Sequence, residues 1–180
     1  MLNEELKDQI LHTKLTFLNG YLMSMGLLNS YSIVGLRCKL FAFNFSNGDI
    51  EKCVQHNAYE LFGVHSNEWQ IEIVPAPDWE HKLKAELNAS TWRRIPVEGA
   101  GIAIKGDYRE NDLTRDYVRS TQSVNEHFVR LLKDEFVNDG TPVYELRVVQ
   151  KNATYRLVGI DLIFEIAPDK ILFLQVLGVD

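Results

Sequence analysis

The chain has 180 residues, with 19 Lys plus Arg against 25 Asp plus Glu, a formal charge of −6 and 46% apolar residues. These values exclude a disordered tail, a collagen-like chain and a disulfide-rich miniprotein. They also count against a dedicated nucleic-acid binder, which needs a surplus of cations to neutralise phosphates.

One domain spanning 1–180 is expected at this length, with a core large enough to hold without metal or disulfide. Cys38 and Cys53 lie among apolar neighbours and read as free thiols of a reducing, cytoplasmic compartment. The first residues carry neither a basic region nor an apolar run, so no secretory signal is expected. No stretch approaches the ~20 apolar residues of a membrane span. The sequons at Asn44, Asn88 and Asn152 then read as chance matches.

Residues 3–23 carry a helical pattern. Leu6, Ile10, Phe17 and Tyr21 form one row, with Leu11, Leu15, Leu18 and Leu22 beside it. Glu4, Glu5 and Asp8 suit the positive end of the helix dipole, and Gly26 and Asn29 suit its exit. Residues 31–45 alternate as one long strand or a bent pair. Asp49 is placed to cap a helix over 50–62, striped by Ile50, Cys53, Val54, Ala58, Leu61 and Phe62 and ended by Gly63. A strand over 69–74 is stopped by Pro75-Ala76-Pro77, after which Asp78 opens a helix carrying Trp79, Leu83 and Leu87. Pro96, Gly99, Gly101 and Gly106 mark a loop that has room for a short strand at 102–105.

A long helical region follows at 110–137. The Ser123 and Glu126 pair has capping-box spacing, so a break near Ser120 is expected. Asn138-Asp139-Gly140 ends it. The runs 142–150, 154–166 and 171–178 are rich in β-formers and separated by Lys151-Asn152-Ala153 and Pro168-Asp169-Lys170, the pattern of an antiparallel meander. The fold expected is α+β, with helices packed on a mostly antiparallel sheet that ends in a three-stranded meander.

Chemistry has few places to live. Cys53 and His56 share a helix face near a helix start, where a dipole and an imidazole could activate a thiol; the plainer reading is a core cysteine beside an edge histidine. Cys38, Cys53, His56 and His65 supply a zinc-like ligand set, but their spacing matches no finger or ribbon, and no metal or cofactor is expected. Asp161 and Glu165 flank Ile163 in an otherwise apolar strand, ~13 Å apart, too far for a glycosidase pair. With a two-residue turn at Pro168-Asp169, Glu165 would pair with Leu172 and Asp161 with Val176. Such carboxylates call for a cation, and Arg147 or Arg156 could supply it. Trp79, Trp92, Arg93 and Arg94, with His81, gather residue types enriched at binding hot spots. The Gly99-Ala100-Gly101-Ile102 stretch lacks the features of a phosphate loop, and no metalloprotease, redox or serine-elbow motif is present.

The balance points to a non-catalytic cytosolic module that binds a protein, of the inhibitor (immunity) or chaperone type, through Trp79, Trp92, Arg93 and Arg94. Its acidity favours a basic partner. Neither nucleic acid nor a membrane is an expected partner, and a homodimer through the Asp161 face is compatible with the pattern. The alternative is a small enzyme or small-molecule binder using Cys53 with His56, or Asp161 and Glu165 with Arg147.

Overall fold

The computed structural model describes residues 4–29, 36–45, 49–62, 69–92, 112–150 and 158–178. The elements run α1 (Glu4–Asn29), β1 (Leu36–Asn44), α2 (Ile50–His56), α3 (Ala58–Phe62), β2 (Trp69–Pro75), α4 (Trp79–Trp92), α5 (Asp112–Phe136), β3 (Val143–Gln150), β4 (Val158–Ala167) and β5 (Lys170–Gly178). Gly63, His65, Arg93, Arg94, Arg156, the 96–106 loop with its expected strand, and the Lys151-Asn152-Ala153 turn all lie outside the described residues.

The five strands form one sheet in the order β1-β5-β4-β3-β2, and every neighbouring pair is antiparallel. The expected α+β architecture holds, and β3, β4 and β5 stand side by side as a meander. Alternation gives the sheet two covered faces. On one, Leu40, Val143, Leu162, Phe164, Leu172, Leu174 and Val176 pack under α1, α4 and α5. On the other, Phe41, Leu146, Ile163, Ile171 and Phe173 pack under the short helices α2 and α3.

α1 extends further than expected, to Asn29. Its two apolar rows meet different fates. Leu18, Leu22 and Met25 are buried, with Leu11 and Leu15 packed against them. Leu6, Ile10 and Phe17 remain exposed, because one helix can turn only one stripe to a sheet. Tyr21 turns to α5, where its hydroxyl donates to the Val124 carbonyl at 3.2 Å and its ring stacks on Phe128. Asn19 of α1 closes part of the sheet edge. Its Nδ2 donates to the Leu40 carbonyl and its Oδ1 accepts from the Leu40 N–H, each at 2.9 Å, in place of a further strand.

Three local expectations need correction. The 50–62 helix is two helices. Asn57 stands between them as the C-cap of α2, its side-chain Nδ2 donating to the Cys53 carbonyl at 2.8 Å, although the apolar stripe continues through Ala58 and Leu61. Asp49 does cap α2, accepting from Lys52 N at 3.0 Å. The 110–137 region is one helix with no break at Ser120; no Gly or Pro lies between 112 and 136 to outweigh continuous helical bonding. Gly140 (φ 93°) then makes the turn into β3, a left-handed backbone that glycine takes without strain.

The third correction concerns the β4–β5 register. Pro168 and Asp169 do form a two-residue turn closed by Ala167 and Lys170. A bulge between Glu165 and Ala167, however, shifts the pairing by one: Glu165 faces Ile171, not Leu172, and Asp161 faces Gln175, not Val176.

Candidate functional site

The face under α2 and α3 holds two of the sequence candidates. Across the sheet, one row reads Lys39, Gln175, Asp161, Leu146, Ile73. Gln175 is buried, and its Nε2 donates to the Leu61 carbonyl at 3.1 Å, satisfying an acceptor at the end of α3. Asp161 has no such arrangement. The residue as a whole is only partly covered, yet its Oδ1 is sealed from solvent and has no hydrogen-bond partner among the described residues. Burial without a compensating donor pushes its carboxyl up to about 7. Lys39, the cation of that row, stands over the Phe41 ring at 4.3 Å.

Glu165 shares this face but not the environment. It hydrogen-bonds Tyr144, whose hydroxyl is pushed above its ordinary value by burial first and by Glu165 second. The two carboxylates therefore do not form one site. Arg147 does not join them either. The β3–β4 register puts Leu146 beside Asp161, so Arg147 projects from the opposite face.

Cys53 is buried on α2, with Sγ 3.8 Å from the Asn44 carbonyl and 3.7 Å from Asn57 Nδ2. Burial raises its thiol, and the Asn57 contact only partly offsets this. That is the reverse of what a nucleophile needs. His56 is exposed, so the two candidates have different surroundings. Among the described residues, no group of three or more His, Cys, Asp and Glu side chains is placed to hold a metal ion.

Arg147 belongs to an open groove of about 450 Å³ between α4 and the strands, lined by Lys82, Ala85, Glu86, Glu145, Arg147, Gly159 and Ile160. The side chains here derive from two simple patterns. Lys82 and Glu86 lie four apart on α4, next to the buried Leu83 and Leu87. Val143, Glu145 and Arg147 alternate on β3, turning from core to charge as the strand leaves the cover of the helices. Lys82 Nζ meets Glu145 Oε2 at 2.9 Å and Asp78 at 3.3 Å; Arg147 Nε meets Glu145 Oε1 at 3.0 Å, and Glu72 stands 4.0 Å from its guanidinium. The Lys82 hydrogen bond, aided by Arg147, holds Glu145 below the usual carboxylate range against its partial burial. Glu86 is different: its Oε1 is sealed from solvent and lacks a hydrogen-bond partner among the described residues.

Trp79 is not available to a partner. It is 6% exposed, set edge-on to Phe164 with ring centroids 5.1 Å apart, and belongs to the main core. Trp92 is the last residue of α4, six positions beyond Glu86, and Arg93 and Arg94 follow it outside the described residues. His81 is exposed on α4. Sequence reasoning singled out Arg147 but missed Lys82, Glu86 and Glu145. The signal was present in the charged alternation of Glu145 and Arg147 within a strand of Val, Tyr and Leu, and in the i, i+4 pair beside a helix's buried stripe.

No described helix is long and apolar enough to cross a membrane. The chain matches no protein-family model, and no curated protein is similar to it in sequence.

Proposed function

We propose that the chain is a non-catalytic, cytosolic binding module and that a basic protein partner docks along the α4–β3 groove. The observation that carries this reading is Glu86. Lys82 and Arg147 both pair with Glu145, whereas Glu86 at the same groove has a sealed Oε1 with no hydrogen-bond partner among the described residues. A cationic side chain entering the groove would supply that oxygen with a donor. The net charge of −6 favours the same sign of partner and speeds its encounter. Trp92 ends α4 and Arg93 and Arg94 follow it in the sequence, three residues of types enriched at hot spots. An inhibitor of a basic enzyme and a chaperone for a basic client both fit this charge pattern.

The test is capture from the native host at moderate salt, followed by affinity measurement on the captured partner. A stoichiometric basic protein is expected, with Arg93→Ala and Arg94→Ala each weakening it by more than ~1 kcal/mol. Recovery of the bait alone, or unchanged affinity in both variants, would reject the reading.

A second reading, a small-molecule binder or enzyme on the α2–α3 face, is favoured by one observation, the sealed Oδ1 of Asp161, which has no hydrogen-bond partner among the described residues. Saturable binding of a cationic metabolite, abolished by Asp161→Asn and indifferent to Arg93→Ala, would select it.

A further inference from the structure

The exposed row of α1 has a spacing that the core does not explain. Leu6, Ile10, Thr13, Phe17, Gly20 and Ser24 recur at intervals of 4, 3, 4, 3 and 4 residues, and all six are exposed. That is the spacing of a two-helix coiled-coil seam, which repeats every 3.5 residues. Leu6, Ile10 and Phe17 are 41%, 40% and 57% exposed, so the seam is open along its length. It contains no charged residue. Its hydroxyls are already satisfied within the helix: Thr13 Oγ1 donates to the Gln9 carbonyl and Ser24 Oγ to the Gly20 carbonyl, each at 2.9 Å. Covering them would leave no donor stranded.

The order of large and small residues identifies the occupant. When the row is laid against a reversed copy of itself about residue 15, Leu6 meets Ser24, Ile10 meets Gly20, and Thr13 meets Phe17. Every layer sets a large side chain against a small one, and the same three pairs recur on the far side of the two-fold axis. A surface that must match itself under a two-fold rotation requires this property. Gly20 leaves a gap in the row, with open space where a Cβ would stand. Lys14, the cation nearest the axis, is already paired with Glu135 at 3.0 Å, which tempers repulsion between the two copies.

The geometry points to a second copy of this chain, docked through an antiparallel α1–α1 pair. The seam is ~27 Å long at 1.5 Å per residue. Two such helices bury on the order of 1,000 Å² in total, at the low end for a specific interface, so the dimer is weak and forms by mass action. This association uses neither the α4 groove nor the Asp161 face.

Sedimentation velocity from micromolar to near-millimolar protein tests it. The average mass of the full chain is expected to climb from 20.7 kDa toward twice that value and to stop there. Phe17→Glu is expected to abolish the climb. Gly20→Leu discriminates further: it adds apolar surface and raises helix propensity, yet fills the hole that Ile10 needs, so dimerisation is expected to be lost while the helix is retained by circular dichroism. Exchanging Thr13 and Phe17 in one chain preserves the large-to-small pairing and is expected to preserve the dimer. Wild-type protein that stays at monomer mass, growth beyond the dimer, or a Gly20→Leu variant that associates as well as wild type would each overturn the proposal.

Discussion

Under α1, α4 and α5 the sheet presents Leu162, Phe164, Leu172, Leu174 and Val176, all buried and all apolar. Under α2 and α3 the same strands present Ile163, Ile171 and Phe173, but also Gln175 and Asp161 side by side. The difference follows from what covers each face. Three long helices offer continuous apolar stripes. Two helices of 7 and 5 residues offer few side chains, and a large share of their carbonyls lie at helix ends, where the helix itself supplies no donor. Gln175 answers one of those carbonyls, Leu61, while the Asp161 Oδ1 has no hydrogen-bond partner among the described residues. A short-helix cover can thus accommodate polar side chains on a sheet face, and one of them is left in strain. Charge with an outlet lies at the margin of the first face, where Glu145 and Arg147 line the groove beside α4.

The contrast can be broken most severely on the apolar face. Phe164→Ala removes a fully buried ring packed against Trp79 and is expected to cost about 3–5 kcal/mol. Because no ionisable group is involved, the loss in urea melts should be the same at pH 5 and pH 8.

On the other face the expected effect has the opposite sign and depends on pH. The Asp161 carboxyl is raised from 3.8 to about 7 by folding. Its penalty is therefore absent below about pH 4, grows as pH rises toward 7 and is complete above it, reaching at most about 4 kcal/mol. Asp161→Asn should raise the stability read in urea melts at pH 8 by roughly 1–3 kcal/mol, less than the full penalty because the amide too meets no partner among the described residues, and bring no gain at pH 4. A variant less stable than wild type at pH 8 would mean that the carboxylate is paired. Gln175→Ala should cost about 1–3 kcal/mol by stranding the Leu61 carbonyl, an effect read in the same melts and largely independent of pH between 5 and 8.

Much of this architecture is legible in the residues. The Pro168-Asp169 turn and the alternation around it locate the β4–β5 hairpin, and Asp49 marks the start of α2. The bulge that shifts Asp161 onto Gln175 is not legible, because Ile166 fits either side of a covered sheet and no glycine announces the extra residue. Asp161 stood out as an acid among Leu, Ile and Phe. Its neighbours could not be named, since pairing Leu146 rather than Arg147 with it depends on a β3–β4 register that no local pattern specifies. Trp79 looked like a binding residue by type and proves to be a core residue by position, as a large aromatic one turn from Leu83 would be on any helix packed against a sheet. Glu86 was passed over because a glutamate on a helix is ordinarily solvated, and only the packing reveals its sealed oxygen.

If a basic partner docks at the α4–β3 groove, as proposed, Glu86 belongs to its interface and Asp161 only to the internal balance of the fold. The most direct test compares capture of the partner by Glu86→Lys and Asp161→Asn, each confirmed folded by circular dichroism. Loss of a basic partner by Glu86→Lys with full retention by Asp161→Asn is the expected result. Retention by Glu86→Lys, or loss by Asp161→Asn, would contradict it.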